Sequence, residues 1–256
     1  MKRTLIFLLA AAFLLPACNQ GFRTETLFLE EDIPFREGSQ NSLDIKLNID
    51  FPVAGYDREV LQAMCRNIRS HTLGENYTEF KGSLKELAAD YRNTLVNDYM
   101  LTNQSMLEEM EMQEDEAPFL NWGCDIQGSF GEKWEDWLMY QVEEYSYYGG
   151  AHGLNATVPL VFDTKTGEPV TWDRIARNVS DEKIMRLIDK HKYDAMEDMI
   201  REDMIDRDNI FFVDRIEPSD SFTVGENGIT FYYQPYDVAP YVFGVIEITV
   251  PWEELR

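Results

Sequence analysis

Leu43, Ile45, Leu47, Ile49 and Phe51 alternate with Asp44, Lys46, Asn48 and Asp50, a period of two that predicts a strand with one buried face and one wet face, stopped by Pro52. The period then becomes helical. Asp57 stands at an N-cap position, Val60, Leu61, Met64 and Ile68 share a face, and Gly74 is placed to end the helix. Ser83-Leu84-Lys85-Glu86 has the form of a capping box, and Leu84, Leu87, Ala88, Tyr91 and Leu95 continue behind it at helical spacing. That helix either stops at Thr102-Asn103 or runs on toward Met110. Residues 121–148 are rich in Trp, Tyr and Phe and predict antiparallel strands, turned by Tyr148 to Gly153. Thr157 to Phe162 and Glu168 to Trp172 predict two strands joined by an Asp163 to Gly167 hairpin loop. Ser180 opens a helix carrying Ile184, Leu187 and Ile188, and helical spacing continues through Met196, Met199, Ile200, Met204 and Ile205. Ile229 to Tyr233 and Val242 to Val250 supply the last strands. The fold expected is α+β, with helices packed on antiparallel sheet in two closely associated subdomains.

Met1-Lys2-Arg3 followed by an apolar run from Leu5 to Leu15 and by Leu15-Pro16-Ala17-Cys18 has the form of a lipoprotein signal. The run is shorter than the roughly 20 residues a membrane-spanning helix needs. Residues 1–17 are therefore expected to be removed and Cys18 to be acylated, which anchors the chain on the outer side of a bacterial membrane. Residues 18–38, with Asn19-Gln20-Gly21, Glu30-Glu31-Asp32, Pro34 and Gly38, read as a tether. With Cys18 lipidated, Cys65 and Cys124 remain, either as a disulfide closing a loop of about 60 residues or as two buried thiols.

The 256 residues carry 23 Lys and Arg against 47 Asp and Glu, a formal charge of −24. A surface this acidic argues against nucleic acid as a partner and leaves a cationic partner or simple solubility, the second being the plainer reading of net charge. His71, His152 and His191 are far apart and form no zinc spacing with the cysteines, so no metal or cofactor is expected. Gly128-Ser129-Phe130-Gly131 lacks the pattern of a nucleophile elbow. Tyr147, Tyr148 and His152 are the candidate binding residues, around the Gly149-Gly150-Ala151-His152-Gly153 turn. Neighbouring strand residues point to opposite faces, so one of the two tyrosines is assigned to the core. The glycines are read as conformational necessities and His152 as a cap on the loop backbone.

Tyr147-Tyr148-Gly149-Gly150-Ala151-His152-Gly153, Phe162-Asp163-Thr164-Lys165-Thr166-Gly167-Glu168 and Tyr236-Asp237-Val238-Ala239-Pro240-Tyr241, with Gly244 and Val250-Pro251-Trp252, resemble the extracytoplasmic domain of the RsiV-type lysozyme-sensing anti-sigma factors. The upstream part, Ile45 to Phe51 with Pro52 and the helix after it, is similar to the companion domain that also precedes the catalytic domain of PdaC-type peptidoglycan deacetylases. The resemblance implies a companion domain at residues 39–150 and an RsiV-like domain at 151–256. It further implies a non-enzymatic envelope binding protein whose ligand is a cationic protein such as lysozyme or a cell-wall glycan. The sigma-binding segment and membrane span of those regulators are replaced here by the lipoprotein signal, and the deacetylase catalytic domain has no counterpart. The competing expectation is an envelope hydrolase acting on peptidoglycan or polysaccharide through acidic residues; a purely structural lipoprotein is the third.

Overall fold

A computed structural model of the chain describes residues 21–197 and 210–256. The leader at 1–17, Cys18, and the stretch holding Met199, Ile200, Met204 and Ile205 lie outside the described residues. The elements are β1 (Arg23–Pro34), β2 (Ser42–Ala54), α1 (Arg58–Leu73), α2 (Leu84–Met110), β3 (Trp122–Trp134), β4 (Trp137–Tyr148), β5 (Leu154–Asp163), α3 (Trp172–Ile175), α4 (Asp181–His191), β6 (Phe222–Gly225), β7 (Gly228–Tyr233) and β8 (Ile246–Pro251). The architecture is α+β. Strands β1 to β5 form one sheet in sequence order, and β6 to β8 form a second. The chain divides into two compact units, residues 1–129 with 143–154, and residues 130–142 with 155–256.

In the first unit the expected alternation builds β2: Leu43, Ile45, Leu47, Ile49 and Phe51 are buried. Pro52 does not stop the strand, which continues to Ala54, with a register shift in its partner between Arg23 and Thr24. β1 pairs antiparallel with β2, placing Leu27 beside Ile49 and Leu29 beside Leu47. Residues 23–34 are thus a strand where the sequence predicted tether, because Leu27 and Leu29 bury against β2 while acidic neighbours hide the alternation. β2 and β3 run parallel, with Ile45 opposite Cys124. Parallel neighbours require a crossover, which α1 and α2 supply. Val60, Met64 and Ile68 of α1 and Leu87 and Tyr99 of α2 are buried, and both helices contact β2. The capping box forms fully: Ser83 Oγ accepts from the Glu86 amide at 3.3 Å, and the Glu86 carboxylate accepts from the Ser83 amide at 2.8 Å. α2 passes Asn103 unbroken, since the Asn103 side-chain amide donates to the Tyr99 carbonyl at 2.9 Å.

In the second unit β6, β7 and β8 pair antiparallel. One face of that sheet, with Phe222, Ile229, Phe231, Ile248 and Val250, joins Ile184, Leu187 and Ile188 of α4 and Trp172 in a single core. Ser180 caps α4 through the Lys183 amide at 3.2 Å. Glu168 to Trp172 is not a strand. Pro169 makes an isolated bridge with Phe162, and the chain turns into α3, because proline has no N–H to extend a ladder. The Asp163 turn forms as expected: the Asp163 carbonyl accepts from the Gly167 amide at 2.7 Å, its carboxylate accepts from the Lys165 amide at 2.8 Å, and Gly167 takes φ 74°.

Candidate functional site

The even-numbered side of β1 and β2 and the odd-numbered side of β3 form the outer face of the first unit's sheet, opposite the helices. Register places Asp32, Asp44 and Gly123 in one row, Glu30, Lys46 and Asp125 in the next, and Phe28, Asn48 and Gln127 in a third. Asp50 follows, accepting from the Thr26 hydroxyl at 2.6 Å. Lys46 Nζ lies 2.6 Å from the Asp44 carboxylate. Its pKa is raised by that hydrogen bond and charge, with Asp125 and Glu30 contributing. Phe28 is 43% exposed. Tyr145, 42% exposed, reaches the same face, since a side chain at Gly123 would touch its ring at 3.7 Å. The result is an open, carboxylate-rich surface with two aromatic side chains on it.

The loop 149–153 belongs to this unit. Gly149 has φ 80°, and a Cβ there would stand 2.5 Å from the Phe119 carbonyl oxygen, so glycine is required twice over. Tyr147 donates its hydroxyl to the Gly150 carbonyl at 3.0 Å, and His152 Nδ1 lies 2.9 Å from the Gly153 carbonyl oxygen. Tyr147 and His152 therefore hold the loop itself. Tyr148 ends a chain of edge-on rings that rises from the core, Phe35 to Tyr99 to Trp122 to Tyr148, with centroids 5.8, 5.4 and 5.0 Å apart. Its own ring is 47% exposed. The three candidate residues do not converge on one ligand position, and the exposed Phe28 and Tyr145 were not singled out by the sequence reading.

Below Tyr148 lies a buried polar group of another kind. The Tyr91 hydroxyl contacts the Cys124 thiol at 3.6 Å. Burial pushes up the Tyr91 and Tyr148 phenols, the Cys124 thiol and the Glu144 carboxyl alike. A thiol so shielded is inert packing rather than a nucleophile. Cys65 and Cys124 are both free. Cys65 Sγ approaches the Pro52 carbonyl at 3.6 Å, whereas Cys124 sits opposite Ile45, seven residues back along β2, or roughly 23 Å at strand rise. That separation corrects the disulfide alternative, because a bridge needs Cα atoms within about 7 Å.

The second unit holds a groove of about 550 Å³ lined by Trp134, Trp137, Trp252, Arg174 and Arg177, with Glu135, Asp136 and Arg256. These tryptophans come from the β3–β4 turn and from the helical turn after β8, which explains why sequence spacing did not group them. Among the described residues no group of three or more His, Cys, Asp or Glu side chains is arranged to hold a metal ion. Among them, too, no helix is long and apolar enough to cross a membrane.

Residues 173–253 match the family DUF3298, described as a protein of unknown function. The chain is similar in structure to a DUF3298 family member from Bacteroides fragilis, with a TM-score of 0.75 and 21% identity over 92% of this chain and 93% of that one. A DUF3298 family protein from Pseudomonas aeruginosa aligns with a TM-score of 0.54 and 17% identity over 91% of each chain. Both likenesses concern the fold. No curated protein matches the chain.

Proposed function

We propose that the chain is a lipid-anchored, non-enzymatic binding protein of the bacterial cell envelope, of the RsiV type, which captures a cationic protein of the lysozyme class outside the cytoplasm. The observation that carries this reading is the outer face of the first unit's sheet, where Glu30, Asp44 and Asp125 surround Lys46 and Asp32 and Asp50 extend the negative field. A surface of one sign attracts a partner of the other and speeds their encounter. Phe28 and Tyr145 give the same face apolar anchors of the kind that carry interface energy.

Calorimetric titration of the exported chain with lysozyme tests this. A saturable complex is expected at low salt and a loss of affinity of about tenfold or more at high salt, with the Glu30→Gln/Asp44→Asn/Asp125→Asn variant already weak at low salt. Absence of any complex at low salt overturns the reading. Release of reducing sugar from peptidoglycan, abolished by Glu144→Gln, would establish the hydrolase in its place.

A further inference from the structure

We propose that the groove of the second unit is a saccharide-binding site, taking a chain of pyranose rings against the indoles of Trp134, Trp137 and Trp252. The inference is independent of the cationic-protein reading, which concerns the other unit.

The argument begins with the rings. All three tryptophans are partly buried, packed on the core of the second unit while also lining the groove. Each therefore has a fixed body and an accessible part. Trp252 is pinned because its indole N–H donates to the Gly225 carbonyl at 2.7 Å. Trp137 is pinned by Arg174, whose guanidinium lies 5.6 Å from the ring centroid and is held in turn by the Asp163 carboxylate. Asp163 is almost fully buried in its turn, so it acts as a positioning residue for Arg174. Trp134 and Trp137 flank a two-residue turn in which Glu135 takes φ 51°, a left-handed conformation that costs a non-glycine residue energy and is kept where surrounding structure enforces it. Rings fixed beforehand lose little freedom when a ligand arrives.

The polar lining then selects the ligand class. Glu135 and Asp136 stand against Arg174, Arg177 and Arg256, with Arg174 offset by Asp163 and Asp136 paired to Lys165. The signs nearly cancel in a chain whose overall charge is −24, so the groove suits neither a strongly cationic nor a polyanionic ligand. What it offers is three partly accessible indoles, one with a guanidinium against its ring, beside planar groups that donate and accept hydrogen bonds. A pyranose has the complementary form, a C–H face and a rim of hydroxyls. The volume of about 550 Å³ falls within the roughly 300–1,000 Å³ of small-ligand clefts.

The test is a titration of the full exported chain with the β-1,4-linked tetramer of N-acetylglucosamine and with cellotetraose, followed by tryptophan fluorescence and calorimetry, with α-linked maltotetraose as comparison. Saturable binding of a β-linked tetramer is expected. Trp137→Ala should weaken it about tenfold or more and Arg177→Ala about threefold, with lysozyme binding unchanged in both. Arg177 is exposed and its guanidinium donates to the Arg174 carbonyl at 3.2 Å, a surface contact whose loss leaves the fold in place; Trp137→Phe, expected to bind better than Trp137→Ala, serves if the latter unfolds. No binding of any of these sugars at about 5 mM, or binding that is unaffected by Arg177→Ala and by Trp137→Ala (by Trp137→Phe, should Trp137→Ala unfold), overturns the proposal.

Discussion

Glu144 shows what burial does to a single carboxyl. Loss of water raises its pKa, so the folded protein holds the proton more tightly than the unfolded chain does. Stability then falls as pH rises from the ordinary carboxyl range through the raised value, and above that value the folded state bears the full cost of a buried charge. Glu144→Gln removes that cost, and its melting temperature should exceed that of the parent at pH 7 and match it near pH 3. Gly149 carries the opposite lesson, since its requirement is steric. Gly149→Ala combines φ 80° with a Cβ 2.5 Å from the Phe119 oxygen, and should cost about 2–4 kcal/mol in urea unfolding. This residue was legible in the sequence as a turn glycine. His152 and Tyr147 were legible as loop residues, but their mutual geometry was not, because it depends on where the Gly150 and Gly153 carbonyls point.

At the level of elements, strong periodicity was readable and weak periodicity was not. β2 and α2 announce themselves through alternation and a capping box, and removing the cap by Ser83→Ala should lower stability by about 1 kcal/mol, read as a shift in the urea midpoint with unchanged slope. β1 was hidden because its outward Phe28 interrupts the apolar alternation of Leu27 and Leu29, and Glu30-Glu31-Asp32 resembles linker. Glu31 nevertheless faces inward to Arg92, with 2.8 Å between carboxylate oxygen and guanidinium nitrogen, a contact with α2 that no local pattern encodes. β6 escaped for want of length, four residues stabilised by pairing with β7. Asn103 looked like a helix breaker. In the helix it returns its amide to the Tyr99 carbonyl one turn back, satisfying a donor where a competing turn would otherwise form.

Across the whole molecule, charge and shape separate the two proposed surfaces, and they predict different kinetics. The outer sheet face draws its strength from long-range attraction, which acts on encounter more than on residence. Raising salt shortens the reach of that field to about 3 Å at 1 M. Association of lysozyme should therefore slow by about tenfold or more between low and high salt, while dissociation changes little; surface plasmon resonance on lipid-captured protein separates the two rates. Phe28→Ala and Tyr145→Ala should do the reverse, speeding dissociation and leaving the salt slope of association intact, because an aromatic anchor works only after contact. Saccharide binding in the Trp134 groove should show almost no salt dependence, since its ligand carries no charge. A salt response shared by both ligands would place them on one electrostatic surface and dissolve the distinction between the two sites.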